Sequence, residues 1–177
     1  TDDYEYLTCI DDSITTGIAI NLYGFTIDGN GYTLDAKCKT RIFNINTDSM
    51  GGTIKNITFK NGKISNDGGA IQWGAREGTL INCTFINNTA NRGGAIDMFE
   101  HMSIFNSTFI SNKATSTGGA LYWVKDYCTI DNSTFVNNSA SGGGAIYWDG
   151  GDYGNITNSK FIGNGATGTT DSSTDDL

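Results

Sequence analysis

The 177-residue chain has no proline, one histidine, and only 11 lysine and arginine residues against 19 acidic ones. Without proline it is neither collagen nor a proline-rich linker. A net charge of −8 leaves few cations to neutralise phosphates, which argues against nucleic acid and against adsorption to anionic lipid. Long apolar runs are also missing. None approaches the roughly 20 residues of a membrane-spanning helix, so no direct membrane insertion is expected in this segment. No signal-peptide pattern follows Thr1, as expected of a mature form or an excised fragment. Helical periodicity is absent over any window of useful length.

What is present is glycine, 24 residues, close to twice the usual share of about 7%. Much of it is periodic. Gly68-Gly69-Ala70-Ile71, Gly93-Gly94-Ala95-Ile96, Gly118-Gly119-Ala120-Leu121 and Gly143-Gly144-Ala145-Ile146 recur every 25 residues. A second block follows each: Asn82-Cys83-Thr84-Phe85, Asn106-Ser107-Thr108-Phe109, Asn132-Ser133-Thr134-Phe135 and Asn158-Ser159-Lys160-Phe161. Three residues beyond each Phe stands another asparagine: Asn88, Asn112, Asn138 and Asn164. An apolar column extends the register backward through Ile156, Ile130, Ile104, Leu80, Ile54 and Ile27, with Tyr32 in the first Phe position.

Periods of this length mean solenoids, propellers or arrays. A propeller blade needs about 40–45 residues, and the framework of leucine-rich repeats is missing. Three short β-branched segments per 24–27 residues, bounded by Gly and Asn, predict an all-β chain. The architecture expected is a right-handed parallel β-helix of about six coils. Residues 1–17 read as an N-terminal segment or cap, 18–166 as the β-helix, and 167–177 as a polar tail or linker. Ile71, Ile96, Leu121 and Ile146 are expected inside, with the Phe85, Phe109, Phe135 and Phe161 column. Each coil buries that face only by stacking on its neighbours. The Gly-Gly pairs suit a tight corner with φ > 0. Asn82, Asn106, Asn132 and Asn158 are expected to ladder at another corner, in the left-handed region that Asn tolerates.

The Gly-Gly-Ala-Ile block followed by Phe-x-x-Asn resembles the repeat of chlamydial polymorphic membrane proteins. The stretch Phe25-Thr26-Ile27-Asp28-Gly29-Asn30-Gly31-Tyr32-Thr33-Leu34-Asp35 resembles an early coil of pectin-lyase-like β-helix surface proteins. The combination is similar to the adhesin-like surface proteins of methanogenic archaea. The resemblance spans residues 25–166. It implies an extracellular or cell-surface adhesin that binds a host or microbial cell-surface protein or glycan. Catalytic residues are not part of it. Complete members of such families are far longer, so a longer parent chain or end-to-end self-association is expected.

Three groups of residues could carry chemistry. Glu77, Glu100, Asp126 and Asp152 place one acid per coil in the connection between the first two strands. Stacked acids of this kind could form the carboxylate pair of a polysaccharide-degrading enzyme, or supply oxygen ligands for Ca²⁺. Arg76, His101 and Lys125 sit beside the first three, which favours a solvated mixed-charge ridge; no cofactor or metal is expected. In the first strand, Trp73, Met98, Trp123 and Trp148 share one column, and Gln72, Asp97, Tyr122 and Tyr147 the next. If the Ile column points inward, alternation sends the Trp column inward and Asp97, Tyr122 and Tyr147 out. Exposed tyrosines beside acids suit contact with a sugar or protein. These residues, together with the acid column, form the candidate partner-binding patch.

Cys83 occupies a serine position of the repeat and is expected to pack as serine does. Its distance from Cys128 makes a disulfide between them unfavourable, whereas a Cys9–Cys38 pair is open. Of seven Asn-x-Ser/Thr sequons, Asn87 and Asn137 lie beyond the expected ladder and are the candidate glycan acceptors. The function expected is a non-enzymatic surface adhesin module. A polysaccharide lyase or glycoside hydrolase, and a structural spacer or fibre subunit, are the alternatives.

Overall fold

The computed structural model describes residues 4–5, 15–46, 50–99, 101–150 and 152–168. Within them the chain is all-β and winds into about six stacked coils of a parallel β-solenoid. Sheet 1 comprises Ile18–Ile20, Phe43–Ile45, Ile71–Trp73, Ile96–Met98, Leu121–Val124 and Ile146–Asp149. Sheet 2 comprises Thr26–Asp28, Thr53–Lys55, Thr79–Ile81, Ser103–Phe105, Thr129–Asp131 and Asn155–Thr157. Sheet 3 holds Tyr4–Glu5, Thr33–Asp35, Thr58–Lys60, Thr84–Ile86, Thr108–Ile110, Thr134–Val136 and Lys160–Ile162.

The later coils carry a fourth ladder beyond the three expected. Sheet 4 holds Thr89–Arg92, Lys113–Thr117, Ser139–Ala140 and Gly165–Ala166, between sheet 3 and the Gly-Gly corner. Its inward positions are Ala90, Ala114 and Ala140, all buried. Small side chains allow the wall to sit close to the core there.

In sheets 2 and 3 each strand of three residues presents its middle side chain inward, and that residue decides the core. Ile54, Leu80, Ile104 and Ile130 stack in register from sheet 2 and are fully buried. Phe59, Phe85, Phe109, Phe135 and Phe161 stack from sheet 3, with consecutive ring centroids 4.7–4.9 Å apart and planes within 12° of parallel. That distance matches the strand spacing of about 4.8 Å, so the backbone repeat dictates an offset face-on column. In the first coil the Phe position belongs to Leu34, which pairs with Phe59, and not to Tyr32. The Gly29–Tyr32 turn is two residues longer than the Asn56–Ile57 turn below it, and this displaces Tyr32 to the surface.

At the Gly-Gly corner the two glycines answer different needs. Gly68, Gly93, Gly118 and Gly143 have φ between 55° and 68°. Gly94 has another reason: a Cβ there would lie 2.2 Å from the Gly119 carbonyl oxygen of the next coil.

Asparagine forms two ladders. Asn82, Asn106, Asn132 and Asn158 all have φ near 50°, as expected, but they lie on the surface. They bond in short runs rather than as one column: Asn82 donates to Asn56 Oδ1 at 2.9 Å, Asn132 to Asn106 Oδ1 at 2.6 Å and Asn158 to Asp131 Oδ1 at 2.7 Å. The internal ladder is Asn88, Asn112, Asn138 and Asn164. Asn112 Nδ2 donates to the Phe85 carbonyl at 3.1 Å and to Asn138 Oδ1 at 3.0 Å. Its own Oδ1 accepts the Asn88 backbone N–H at 3.0 Å. Asn88, Asn112 and Asn138 are completely buried.

Cys83 and Cys128 are buried free thiols, and burial pushes both up to about 11. Cys83 does take a serine position: its N–H donates to Ser107 Oγ at 3.2 Å, as the Ser107 N–H does to Ser133 Oγ. Cys38 is a free, exposed thiol, and Cys9 lies outside the described residues. Among the described residues no helix is long and apolar enough to cross a membrane.

Candidate functional site

The first-strand column was expected to face solvent, and here the structure corrects the reading. Gln72, Asp97, Tyr122 and Tyr147 are in register on sheet 1, with the Tyr122 and Tyr147 rings stacked 5.8 Å apart. Yet Asp97 is 2% exposed and Tyr122 4%, while Gln72 and Tyr147 stay partly open. The cover comes from across the Gly-Gly corner. Arg92, at the end of its sheet 4 strand, lays its guanidinium 4.5 Å over the Tyr122 ring and donates to the Tyr122 hydroxyl at 3.2 Å. It also forms a 2.6 Å ion pair with Asp67. The Tyr122 hydroxyl donates in turn to Asp149 Oδ2. Arg41, buried below, donates to the Gly68 and Asp67 carbonyls.

The electrostatics of this lid are uneven. Burial works to raise the Asp67 carboxyl, but the Arg92 hydrogen bonds and charge outweigh it and hold it below the ordinary range. Burial, reinforced by the neighbouring Asp67 charge, pushes Asp97 up to about 6 against the pull of Arg92 and Arg41. Asp97 Oδ1 has no hydrogen-bond partner. Burial and the Asp149 bond push the Tyr122 hydroxyl up to about 12. A raised carboxyl among arginines has the composition of an acid–base site. At 2% exposure, however, Asp97 is sealed from a polymer outside.

The Trp column divides at its end. Trp73, Met98 and Trp123 are fully buried, while Trp148 is 38% exposed and stacks on Trp123 at 4.4 Å.

In the connection between sheets 1 and 2, pairing of the flanking strands sets the register. Counted back from Thr79, Ser103, Thr129 and Asn155, one column is Glu77, His101, Tyr127 and Tyr153. Asp126 and Asp152 fall in the column before it, so Glu77 does not stack with them; Glu100 lies outside the described residues. The connections differ in length, so the order of acids within each loop misleads about height.

What stacks at this corner is aromatic. His101 meets Tyr127 edge-on at 5.2 Å, and Tyr127 lies parallel to Tyr153 at 5.0 Å. Tyr127 is 54% and Tyr153 72% exposed. All three residues have positive φ, 46°, 59° and 63°, which turns their side chains outward at the same point of each coil. The Tyr127 N–H donates to the Asp152 carbonyl at 3.2 Å, and the Asp152 N–H to Asp126 Oδ1 at 2.7 Å. The loops are therefore laddered like the strands. Composition alone did not single out these rings; aligning each loop on the strand after it would have.

Asn87 and Asn137 are exposed, with φ of 56° and 53°, at the corner between sheets 3 and 4. No group of three or more His, Cys, Asp or Glu that could hold a metal occurs among the described residues.

These features define a parallel β-solenoid built on a Gly-Gly-Ala/Phe-x-x-Asn repeat, with an exposed aromatic corner and a sealed ionic lid. Residues 82–97, 106–122 and 132–147 match the Chlamydia polymorphic membrane protein (Chlamydia_PMP) repeat, and so are similar to that family over three consecutive coils. No curated protein and no solved structure matches the chain.

Proposed function

We propose that the chain is a non-enzymatic, adhesin-type module of a cell-surface protein that binds a protein or glycan on another cell. The observation carrying this reading is the His101–Tyr127–Tyr153 corner. There, large rings stay exposed on loops that are themselves hydrogen-bonded between coils, beside Asp126 and Asp152. Rigid, amphipathic tyrosines give contact area at little entropic cost. Similarity to a polymorphic membrane protein repeat supports a surface location. Against the enzymatic alternative, Glu77 stands outside the Asp126–Asp152 column and the raised carboxyl of Asp97 is enclosed.

The test is attachment of chain-coated beads to bacterial, archaeal and animal cells. Tyr127→Ser with Tyr153→Ser should lower attachment several-fold with an unchanged circular dichroism spectrum. Unchanged attachment sinks the reading, as does cleavage of a polysaccharide that Asp126→Asn abolishes.

A second reading is end-to-end stacking of copies. It is favoured by Ile156 and Phe161, the core residues of the last described coil, which are only partly covered. Light scattering across a concentration series tests it, and a strict monomer rejects it.

A further inference from the structure

Sheet 4 forms one wall of the solenoid, and a groove runs along its outer surface. Its larger part, about 540 Å³, begins at Lys39 and Lys63 and reaches Asn91 and Thr115. A smaller part of about 290 Å³ shares Thr115 and continues past Lys113 to Ser141. The groove thus crosses the strands and follows the solenoid axis over several coils.

Its chemistry differs from the rest of the surface. The chain carries 19 acidic residues and a net charge of −8, yet no aspartate or glutamate lines either part. Elsewhere several cations are engaged: Lys55 with Asp28, Lys37 and Lys60 with Asp35, and Arg92 with Asp67. Lys63 and Lys113 have no acidic partner among the described residues and are exposed. The register Lys63–Thr89–Lys113 puts them two coils apart, roughly 10 Å along the axis by the strand spacing. Between them the wall presents amide and hydroxyl groups, with Thr115 Oγ1 3.2 Å from Asn91 Oδ1.

We propose that this groove binds a linear acidic polysaccharide, a uronate or sulfate-ester chain lying along the axis. The lysines would meet anionic groups at intervals, and Asn91, Thr115 and Ser141 would meet sugar hydroxyls. A peptide fits less well. Along the groove Lys113–Thr117 and Ser139–Ala140 are paired on both sides, which leaves strand addition only to the end of the sheet, and the lining has no aromatic side chain to seat an apolar residue. The site lies on a different wall from the aromatic corner, so it adds a ligand class to the adhesin reading and does not depend on that corner.

The test measures binding of the full chain to polygalacturonate, dextran sulfate, uncharged dextran and poly-L-glutamate, by calorimetry or affinity electrophoresis. Polygalacturonate and dextran sulfate should bind, dextran should not, and added salt should weaken binding. Lys63→Gln with Lys113→Gln should reduce affinity about tenfold at unchanged melting temperature. Tyr127→Ser with Tyr153→Ser should leave it unchanged, which separates this site from cell attachment through the corner. Absence of binding overturns the proposal, as does equal affinity of the lysine variant. Dextran binding as tightly, or poly-L-glutamate binding more tightly than the acidic sugars, overturns it too.

Discussion

Asp97 carries the most perturbed carboxyl described, and the consequence for stability has a definite sign. In the unfolded chain an aspartate loses its proton near 3.9, whereas Asp97 keeps it up to about 6 in the fold. Between those values the folded state holds the extra proton, so stability falls as pH rises through the window. Above about 6 the buried charge costs its full amount, of order 2–3 kcal/mol. Asp97→Asn should therefore raise the melting temperature by several degrees near pH 7.5 and by little near pH 4, in paired thermal melts. Asp67 contributes in the opposite sense, because its lowered carboxyl loses its stabilisation on acidification. Two glycines give a contrast of another kind. Gly94→Ala drives a Cβ into the backbone of Gly119 and Lys113, at 2.2 and 2.6 Å, and should cost more than about 3 kcal/mol. Gly31→Ala meets no atom within 4 Å and suffers only the left-handed penalty of about 1–2 kcal/mol, at φ 84°. Denaturant titration resolves the two.

Among the elements, the corner between sheets 3 and 4 depends on one side-chain type in one conformation. Asn88, Asn112 and Asn138 each satisfy a carbonyl of the preceding coil and an N–H that no strand partner reaches. Asn112→Ala leaves the Asn88 N–H buried without a partner and removes one of the two donors to the Phe85 carbonyl. It should destabilise the chain by about 2–4 kcal/mol in urea titrations, far more than Asn106→Ala on the exposed ladder. The Phe column alongside needs that corner, because the turn sets the height at which each following strand begins.

Across the whole molecule, each coil touches only its neighbours, so stability approximates a sum of coil and interface terms. Coils with a neighbour on both sides bury Phe85, Phe109 and Phe135 completely, while Ile156 and Phe161 are only partly covered. Amide exchange should accordingly be slowest in Thr84–Ile86 and Thr108–Ile110. Mass spectrometry should find it about a hundredfold faster in Asn155–Thr157 and Lys160–Ile162. Uniform exchange would mean the solenoid opens as one unit. Charge is partitioned on the same scale: acids stand on the loop corner and on sheets 1, 2 and 3, while none lines the sheet 4 groove.

The recurrence of Gly-Gly-Ala-Ile and Phe-x-x-Asn determined the coil, its period and its inward Ile and Phe columns, since alternation sends fixed positions of each short strand to the core. It also marked the left-handed corners, because Gly and Asn adopt them at least cost. Register where loops differ in length was not legible. Leu34 rather than Tyr32 heads the Phe column, and Glu77 stacks with His101 rather than with Asp126, because strand pairing and not loop position sets height. Nor was burial on the outer face. Alternation correctly turned Asp97 and Tyr122 away from the core, but a side chain that leaves the core reaches solvent only if nothing covers it. Arg92 covers Tyr122 from a strand of another sheet, and only the tertiary structure brings that arginine across the corner.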